Sequence, residues 1–149
     1  MLYEDGAAFA KAHPGEFDLI LVDSTDPVGP AKTLYETSFY QSVKAALREG
    51  GAAVFQTESP LFMTEVFFEA VGKLASVFGD HGTYPYFATV PCYPGGLWSF
   101  TFCSDQVDPT SRPSSALSPD LERTLEYYTG EIHRAAFAAP AFVRRALSR

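Results

Sequence analysis

The spacing of apolar residues predicts alternating helices and strands over the first half of the chain. Phe17 to Val22 is a continuous apolar run, which is typical of a buried strand in a parallel sheet, and Ala52 to Gln56 has the composition of a second strand. Apolar residues at helical spacing predict three helices, at residues 6–11, 34–47 and 64–78. We expect the second helix to end at Glu49-Gly50-Gly51, because a glycine pair is a frequent helix stop.

The second half of the chain changes character twice. Aromatic-rich runs at Thr83–Val90 and Leu97–Cys103 flank the sequence PCYPGG, and this arrangement predicts an antiparallel hairpin. Residues 105–118 are rich in Ser, Pro and Asp, and we interpret them as a linker. Residues 119–149 are helical in pattern with a break near Pro140, and we expect them to pack on the same domain.

Strands and helices that alternate before a hairpin predict an α/β fold. We assign residues 1–104 to part of a doubly wound sheet with antiparallel edge strands. A nucleotide-binding sheet of this kind carries a glycine-rich turn after its first strand, and neither GxGxxG nor GxGxG occurs in the sequence. Either the chain does not bind a nucleoside in this way, or it corresponds to the downstream portion of a longer protein.

The composition favours a globular cytoplasmic protein. Apolar residues make up 46% of the chain and charged residues 19%, and no apolar run approaches the roughly 20 residues of a membrane helix. The first residues lack the features of a signal peptide. A net charge of −7 disfavours nucleic-acid binding. Cys92 and Cys103 are too few for a disulfide framework, and with three scattered histidines they predict no metal site.

The sequence DSTDPVGPA, residues 23–31, carries the strongest chemical signal. Asp23 and Asp26 lie where the first predicted strand ends, and Pro27, Gly29 and Pro30 stiffen the loop that follows. Ligands bind at the carboxyl ends of strands in open α/β sheets. A rigid acidic loop in that position suits a cationic substrate that must lose a proton.

Several sequences together resemble the spermidine synthases, the family of polyamine aminopropyltransferases. They are DSTDPVGPA, FQTESP after the glycine pair, TVPCYPGGLW, and the tail YYTGEIHRAAFAAPAFVRRAL. The resemblance implies transfer of an aminopropyl group from the co-substrate decarboxylated S-adenosylmethionine to putrescine or a similar amine, without a prosthetic group. It also implies a Rossmann-like, methyltransferase-type catalytic domain, a small β-rich domain that precedes it, and a dimer or tetramer.

The resemblance also implies roles for individual residues. Asp23 corresponds to the proton acceptor of the family. The amine site corresponds to Asp23, Ser24, Thr25, Asp26, Gln56 and Tyr93. The nucleoside part of the co-substrate corresponds to Asp5, Gly6 and Pro30.

Each of these residues also has a purely structural interpretation. Asp23 suits a loop cap, Asp26 an Asx turn before Pro27, and Asp5-Gly6 a helix N-terminus. For the remaining residues the structural alternatives are a conformational proline at Pro30, packing of Tyr93 on the hairpin, a wall position for Trp98, and a solvated loop carboxylate at Glu58.

The family resemblance places this chain in the C-terminal half of a synthase. A glycine-rich loop and an acidic ribose-binding residue precede the Asp-Gly dipeptide in the family, whereas here that dipeptide is Asp5-Gly6. We therefore expect weak nucleoside binding and low activity from the 149 residues alone. A fragment that depends on an N-terminal half and a methyltransferase of the same fold are the alternatives, although the two aspartates disfavour the latter. The sequence leaves open which amine is the acceptor.

Overall fold

The fold is a four-stranded mixed sheet with helices packed against it. The computed structural model describes residues 3–111 and 118–148. The sheet contains β1 (Phe17–Val22), β2 (Leu47–Gln56), β3 (Thr83–Thr89) and β4 (Leu97–Cys103) in the order β1-β2-β4-β3. β1 and β2 are parallel, while β4 pairs antiparallel with both β2 and β3. The predicted α/β sheet with antiparallel strands at one edge is confirmed.

Among the described residues, three α-helices precede β3 and three short ones follow the hairpin. They are α1 (Gly6–Ala12), α2 (Thr37–Ala46), α3 (Thr64–Phe78), α4 (Pro119–Glu122), α5 (Gly130–Ala136) and α6 (Ala141–Leu147). The side chain of Asp5 caps α1, and Gly79 ends α3 with φ 81°, a conformation that glycine adopts without steric cost. Short 3-10 helices cover Gly29–Tyr35 and Asp80–Gly82.

One face of the sheet carries the main core. Side chains of α2 and α3 pack there around Phe55 of β2 and Cys103 of β4. A second cluster joins Phe67 and Val71 of α3 to Phe87 of β3, and Val143 of α6 completes it. Val143 of the last helix thus packs against α3 and β3.

The opposite face is partly open. The register places Leu19 and Leu21 of β1 beside Ala52 and Val54 of β2. Leu19 is 53% exposed and Leu21 is 68% exposed. The expectation that β1 is a buried strand is therefore wrong. β1 lies at an edge of the sheet, and among the described residues only one of its faces is covered.

Two boundaries also differ from the sequence prediction. The helix expected at residues 34–47 begins at Thr37, because the segment before it forms the 3-10 helix that ends at Tyr35. Glu49-Gly50-Gly51 lies inside β2 and not at a helix end. The pairing of β2 with β1 shifts register here, and a side chain at Gly51 would come within 2.9 Å of the Arg48 carbonyl oxygen. The glycine therefore permits an irregular strand start.

The segment after the hairpin is only partly described. Ser104 Oγ accepts bonds from the amides of Gln106 and Val107, so the start of the predicted linker is anchored to the sheet. Residues 112–117 of that linker lie outside the described residues. Pro140 is the N-cap of α6, where the helical pattern breaks. None of the described helices is both long enough and apolar enough to cross a membrane.

Candidate active site at the carboxyl ends of β1 and β2

The acidic loop follows β1 directly. Asp23, Thr25 and Asp26 are exposed, and Ser24 is half-buried. Within residues 3–111 and 118–148 neither aspartate side chain has a hydrogen-bond or ion-pair partner, so the loop-cap role considered for Asp23 is not seen. The Asx turn at Asp26 is not formed either, because the Val28 amide donates to the main-chain oxygen of Asp26 at 2.6 Å. Both carboxylates remain available to a ligand.

The side chain of Tyr35 connects the acidic loop to polar side chains at the end of β2. The Tyr35 hydroxyl lies 3.3 Å from Ser24 Oγ and 3.4 Å from the Thr25 carbonyl oxygen. It also lies 3.1 Å from Gln56 Oε1 and 3.0 Å from Glu58 Oε1. Tyr35 thus links the carboxyl ends of two adjacent parallel strands. Gln56, predicted as an amine ligand, is buried in this network.

Glu58 differs most from its expected environment. The sequence favours a solvated loop carboxylate, but the structure buries Glu58 completely. Its Oε1 accepts from Gln56 Nε2 at 3.1 Å, whereas Oε2 is buried without a hydrogen-bond partner among the described residues. Strand β4 covers Glu58, because the amide and the hydroxyl of Ser99 both donate to the Glu58 carbonyl oxygen. An unsatisfied buried acceptor of this kind is costly, so a donor group bound at Oε2 would stabilise it.

The dipeptide Asp5-Gly6 lies on the other side of the acidic loop. Asp5 Oδ1 accepts from the amides of Ala7 and Ala8 at 2.9 Å, so its role as a helix cap is present. Gly6 lines a cleft of about 450 Å³ together with Asp23 and Ser24. The structure thus brings Gly6 and the acidic loop to one cavity. Pro30 lies in the first turn of the 3-10 helix that follows the loop.

Tyr93 lies in the PCYPGG turn and packs against Trp98. The ring centroids are 4.2 Å apart, and Tyr93 is 46% exposed while Trp98 is buried. No hydrogen bond joins Tyr93 to the acidic loop in the described part of the chain. The register pairs Gln56 with Phe100, so Trp98 lies on the same face of the sheet as Gln56. This aromatic pair therefore borders the same end of the sheet.

A close contact fixes the turn that carries Tyr93. Gly95 has φ 73°, and a side chain there would come within 2.5 Å of the Phe62 ring. Glycine permits both the backbone conformation and the approach of Phe62. Leu61 and Phe62 themselves are more than half exposed. Among the described residues no group of three or more His, Cys, Asp and Glu side chains is placed to hold a metal ion.

The comparison with known proteins agrees with this geometry. A family model described as the spermine/spermidine synthase domain matches residues 1–112. The chain belongs to this family. The polyamine aminopropyltransferase of Desulforudis audaxviator is 42% identical over 139 residues, which cover 93% of this chain and 49% of the relative. The corresponding protein of Leptospira biflexa is 39% identical over an alignment of 150 residues, which covers 99% of this chain and 51% of the relative.

Solved structures of spermidine synthases have the same fold. A spermidine synthase in complex with the transition-state analogue AdoDATO aligns with a TM-score of 0.86 at 35% identity and covers 99% of this chain. The Thermotoga maritima spermidine synthase aligns with a TM-score of 0.81, also at 35% identity, over 97% of this chain. This chain spans about half the length of the relatives that it matches. The family predicted from the sequence, an enzyme family with a Rossmann-like fold, is confirmed.

Proposed function

We propose that this chain supplies the amine-binding and proton-accepting part of an aminopropyltransferase. The substrates are decarboxylated S-adenosylmethionine and putrescine or a similar diamine, and the products are spermidine and 5′-methylthioadenosine. The observation that carries the proposal is the position of Asp23 and Asp26. Both carboxylates are exposed and without side-chain partners in the described residues, and Asp23 lines a cleft together with Gly6.

The chemistry explains why two carboxylates are useful here. An alkylammonium has a pKa of about 10, and only its neutral form has the lone pair needed for attack. The amine nitrogen bonds to the methylene carbon beside the sulfonium, the carbon–sulfur bond breaks, and its electron pair neutralises the sulfur. Asp23 accepts the proton that the amine loses. Asp26 holds the cationic end of the diamine, and positioning supplies much of the remaining acceleration.

The surroundings of the loop support an amine ligand over a neutral one. Ser24 and Thr25 lie between the two aspartates in the loop. Gln56, at the end of β2, is connected to them through the Tyr35 hydroxyl. The exposed ring of Tyr93 offers a hydroxyl and an aromatic face to a cation. The buried Glu58 adds a further negative group at the same end of the sheet. These features argue against methyl transfer to an uncharged acceptor.

A second proposal concerns the nucleoside half of the site. We propose that full activity needs the part of the relatives that these 149 residues do not match, provided in the same polypeptide or by another. Leu19 and Leu21 expose an apolar strip on β1, and within the described residues β1 pairs only with β2. A strand edge next to exposed apolar residues readily pairs with a further segment.

A transfer assay tests both proposals. Residues 1–149 are assayed alone and as a fusion behind the first half of the Thermotoga maritima spermidine synthase. We expect the fusion to form spermidine and 5′-methylthioadenosine in equal amounts, and the chain alone to be at least a hundredfold slower. Normal turnover by the chain alone would contradict the dependence on a second half. A folded fusion that forms neither product would contradict aminopropyl transfer.

A further inference from the structure

The Tyr35 hydroxyl lies where groups from two strand ends converge. Its contacts to Ser24 and Thr25 are in the acidic loop, and its contacts to Gln56 and Glu58 are at the end of β2. Tyr35 is only 6% exposed, so these bonds are shielded from water. The side chain itself comes from the 3-10 helix that follows the acidic loop. A single hydroxyl therefore fixes the loop against its neighbour strand.

Counting protons shows the direction of these bonds. A tyrosine hydroxyl has one proton to donate, and three acceptor oxygens lie within 3.4 Å of it. Glu58 Oε1 is the closest of them at 3.0 Å, which makes it the acceptor of this proton. Ser24 donates to the tyrosine oxygen in return. Burial raises the pKa of Tyr35, so the group stays a donor at neutral pH.

Glu58 is held rigidly as the acceptor. It has φ 69°, a conformation that a residue other than glycine keeps only when its surroundings fix it. Its carbonyl oxygen accepts from Ser99 N at 3.0 Å and from Ser99 Oγ at 2.6 Å. Its amide donates to Gln56 Oε1 at 3.0 Å. The bond from Tyr35 to Glu58 therefore ends on a fixed point.

We propose that Tyr35 is a positioning residue, which holds the acidic loop at a set distance from the buried Glu58 and Gln56. Through the bond that it accepts from Ser24 Oγ it orders the backbone that carries Asp23 and Asp26. The carboxylates gain a defined placement although they are exposed themselves. The effect of Tyr35 on amine binding rests on the proposed function, whereas its effect on loop order does not.

The test uses Tyr35→Phe in the 149-residue chain, with Tyr40→Phe as the matched control. Tyr40 is also buried, but its ring packs edge-on against Phe55 at 5.0 Å in the core. Amide exchange of residues 23–26 with water is measured by NMR. We expect about tenfold faster exchange in Tyr35→Phe, since a lost hydrogen bond is worth about 0.5–1.5 kcal/mol. Exchange in β2 and in Tyr40→Phe should stay unchanged. Unchanged loop exchange in Tyr35→Phe, or an equal rise in Tyr40→Phe, would overturn the proposal.

A second variant tests the path through Glu58. Glu58→Gln keeps the shape of the side chain and removes its charge. If Tyr35 acts through Glu58, the double variant exchanges no faster than Tyr35→Phe alone. If the double variant exchanges faster than either single variant, by the product of their separate effects, Tyr35 acts independently of Glu58. That result would overturn the proposed path through Glu58.

Putrescine binding gives a readout that general loss of stability does not mimic. We expect Tyr35→Phe to weaken the affinity about tenfold, with Tyr40→Phe at the wild-type value. Equal weakening in both variants would overturn the positioning role. If the wild-type chain binds no putrescine, the proposed function fails, and the loop exchange rates alone decide the role of Tyr35.

Discussion

The ends of β1 and β2 lie next to each other and have opposite properties. The residues after β1, Asp23 and Asp26 in particular, are exposed and their carboxylates have no side-chain partner within the described residues. The residues from Gln56, the last of β2, to Ser59 are buried, and each of their side chains takes part in a hydrogen bond. The reactive groups thus lie on an open loop, and the groups that support this loop lie in the core beside it. Substitutions at the first end should change chemistry, and those at the second should change stability.

The largest effect is expected for Asp23→Asn in the fusion protein. Loss of the proton acceptor should lower kcat/KM for putrescine about a thousandfold, which lies within the range of general base catalysis. The melting temperature should not change, because the side chain is exposed. Asp18→Asn is the control, as Asp18 is an exposed carboxylate on β1, the strand before the acidic loop, and is paired with Arg48 at 2.7 Å. Retained turnover in Asp23→Asn would remove this residue as the base.

Asp26→Asn should act on binding more than on the chemical step. A charge-assisted hydrogen bond is worth about 1.5–3 kcal/mol, so KM for putrescine should rise about 10- to 100-fold. The value of kcat should fall less than in Asp23→Asn. Steady-state kinetics at several putrescine concentrations separate the two parameters. A loss confined to kcat would contradict the assignment of Asp26 as the amine anchor.

Ser99→Ala tests the supporting end of the comparison. It removes the 2.6 Å bond to the Glu58 carbonyl oxygen and the 2.9 Å contact with Thr57 Oγ1, both in the core. Unfolding in urea should show a loss of about 1–3 kcal/mol in the free energy of unfolding. Ser76→Ala is the control, since Ser76 bonds a carbonyl oxygen on an exposed helix surface, and it should cost less than about 0.5 kcal/mol. If both variants lost the same free energy of unfolding, the hydrogen bonds from Ser99 would not stabilise the backbone at Glu58.

Alkaline pH should affect the buried end through Tyr35. Burial raises the pKa of Tyr35 above its ordinary value of about 10, so its contribution to stability is complete below pH 10. Above pH 10 the unfolded chain releases the proton and the folded chain does not, which costs about 1.4 kcal/mol per pH unit. Tyr35→Phe should therefore have a flatter stability profile above pH 10. The two profiles should run parallel between pH 6 and 8, and parallel profiles above pH 10 would contradict the assignment.

Local sequence patterns predicted most elements but not their burial. The predicted positions of the strand Phe17–Val22 and of the hairpin between Thr83 and Cys103 agree closely with the structure. Apolar spacing and turn residues specify both elements locally. The exposure of Leu21 was not predictable in this way. Whether a face of a strand is covered depends on which elements pack there, and a continuous apolar run indicates only that both faces could be covered.

The same limit applies to the candidate site. The acidic loop was found from Asp23 and Asp26, whose spacing after a strand is a local signal. The burial of Glu58 was missed because Ser99, 41 residues later in the chain, encloses it. The role of Tyr35 was missed because an aromatic residue inside a predicted helix, here residues 34–47, is most simply interpreted as core packing. The polar contact partners of its hydroxyl are brought together by the sheet.

The most direct test of the account is a titration of the 149-residue chain with putrescine, followed residue by residue in NMR spectra. Butane-1,4-diol, a neutral molecule of similar length, is the control ligand. We predict saturable shifts centred on residues 23–26, absent with the diol and lost in the double variant Asp23→Asn/Asp26→Asn. Shifts centred elsewhere, or equal shifts with the diol, would contradict the claim that the acidic loop after β1 is an amine site.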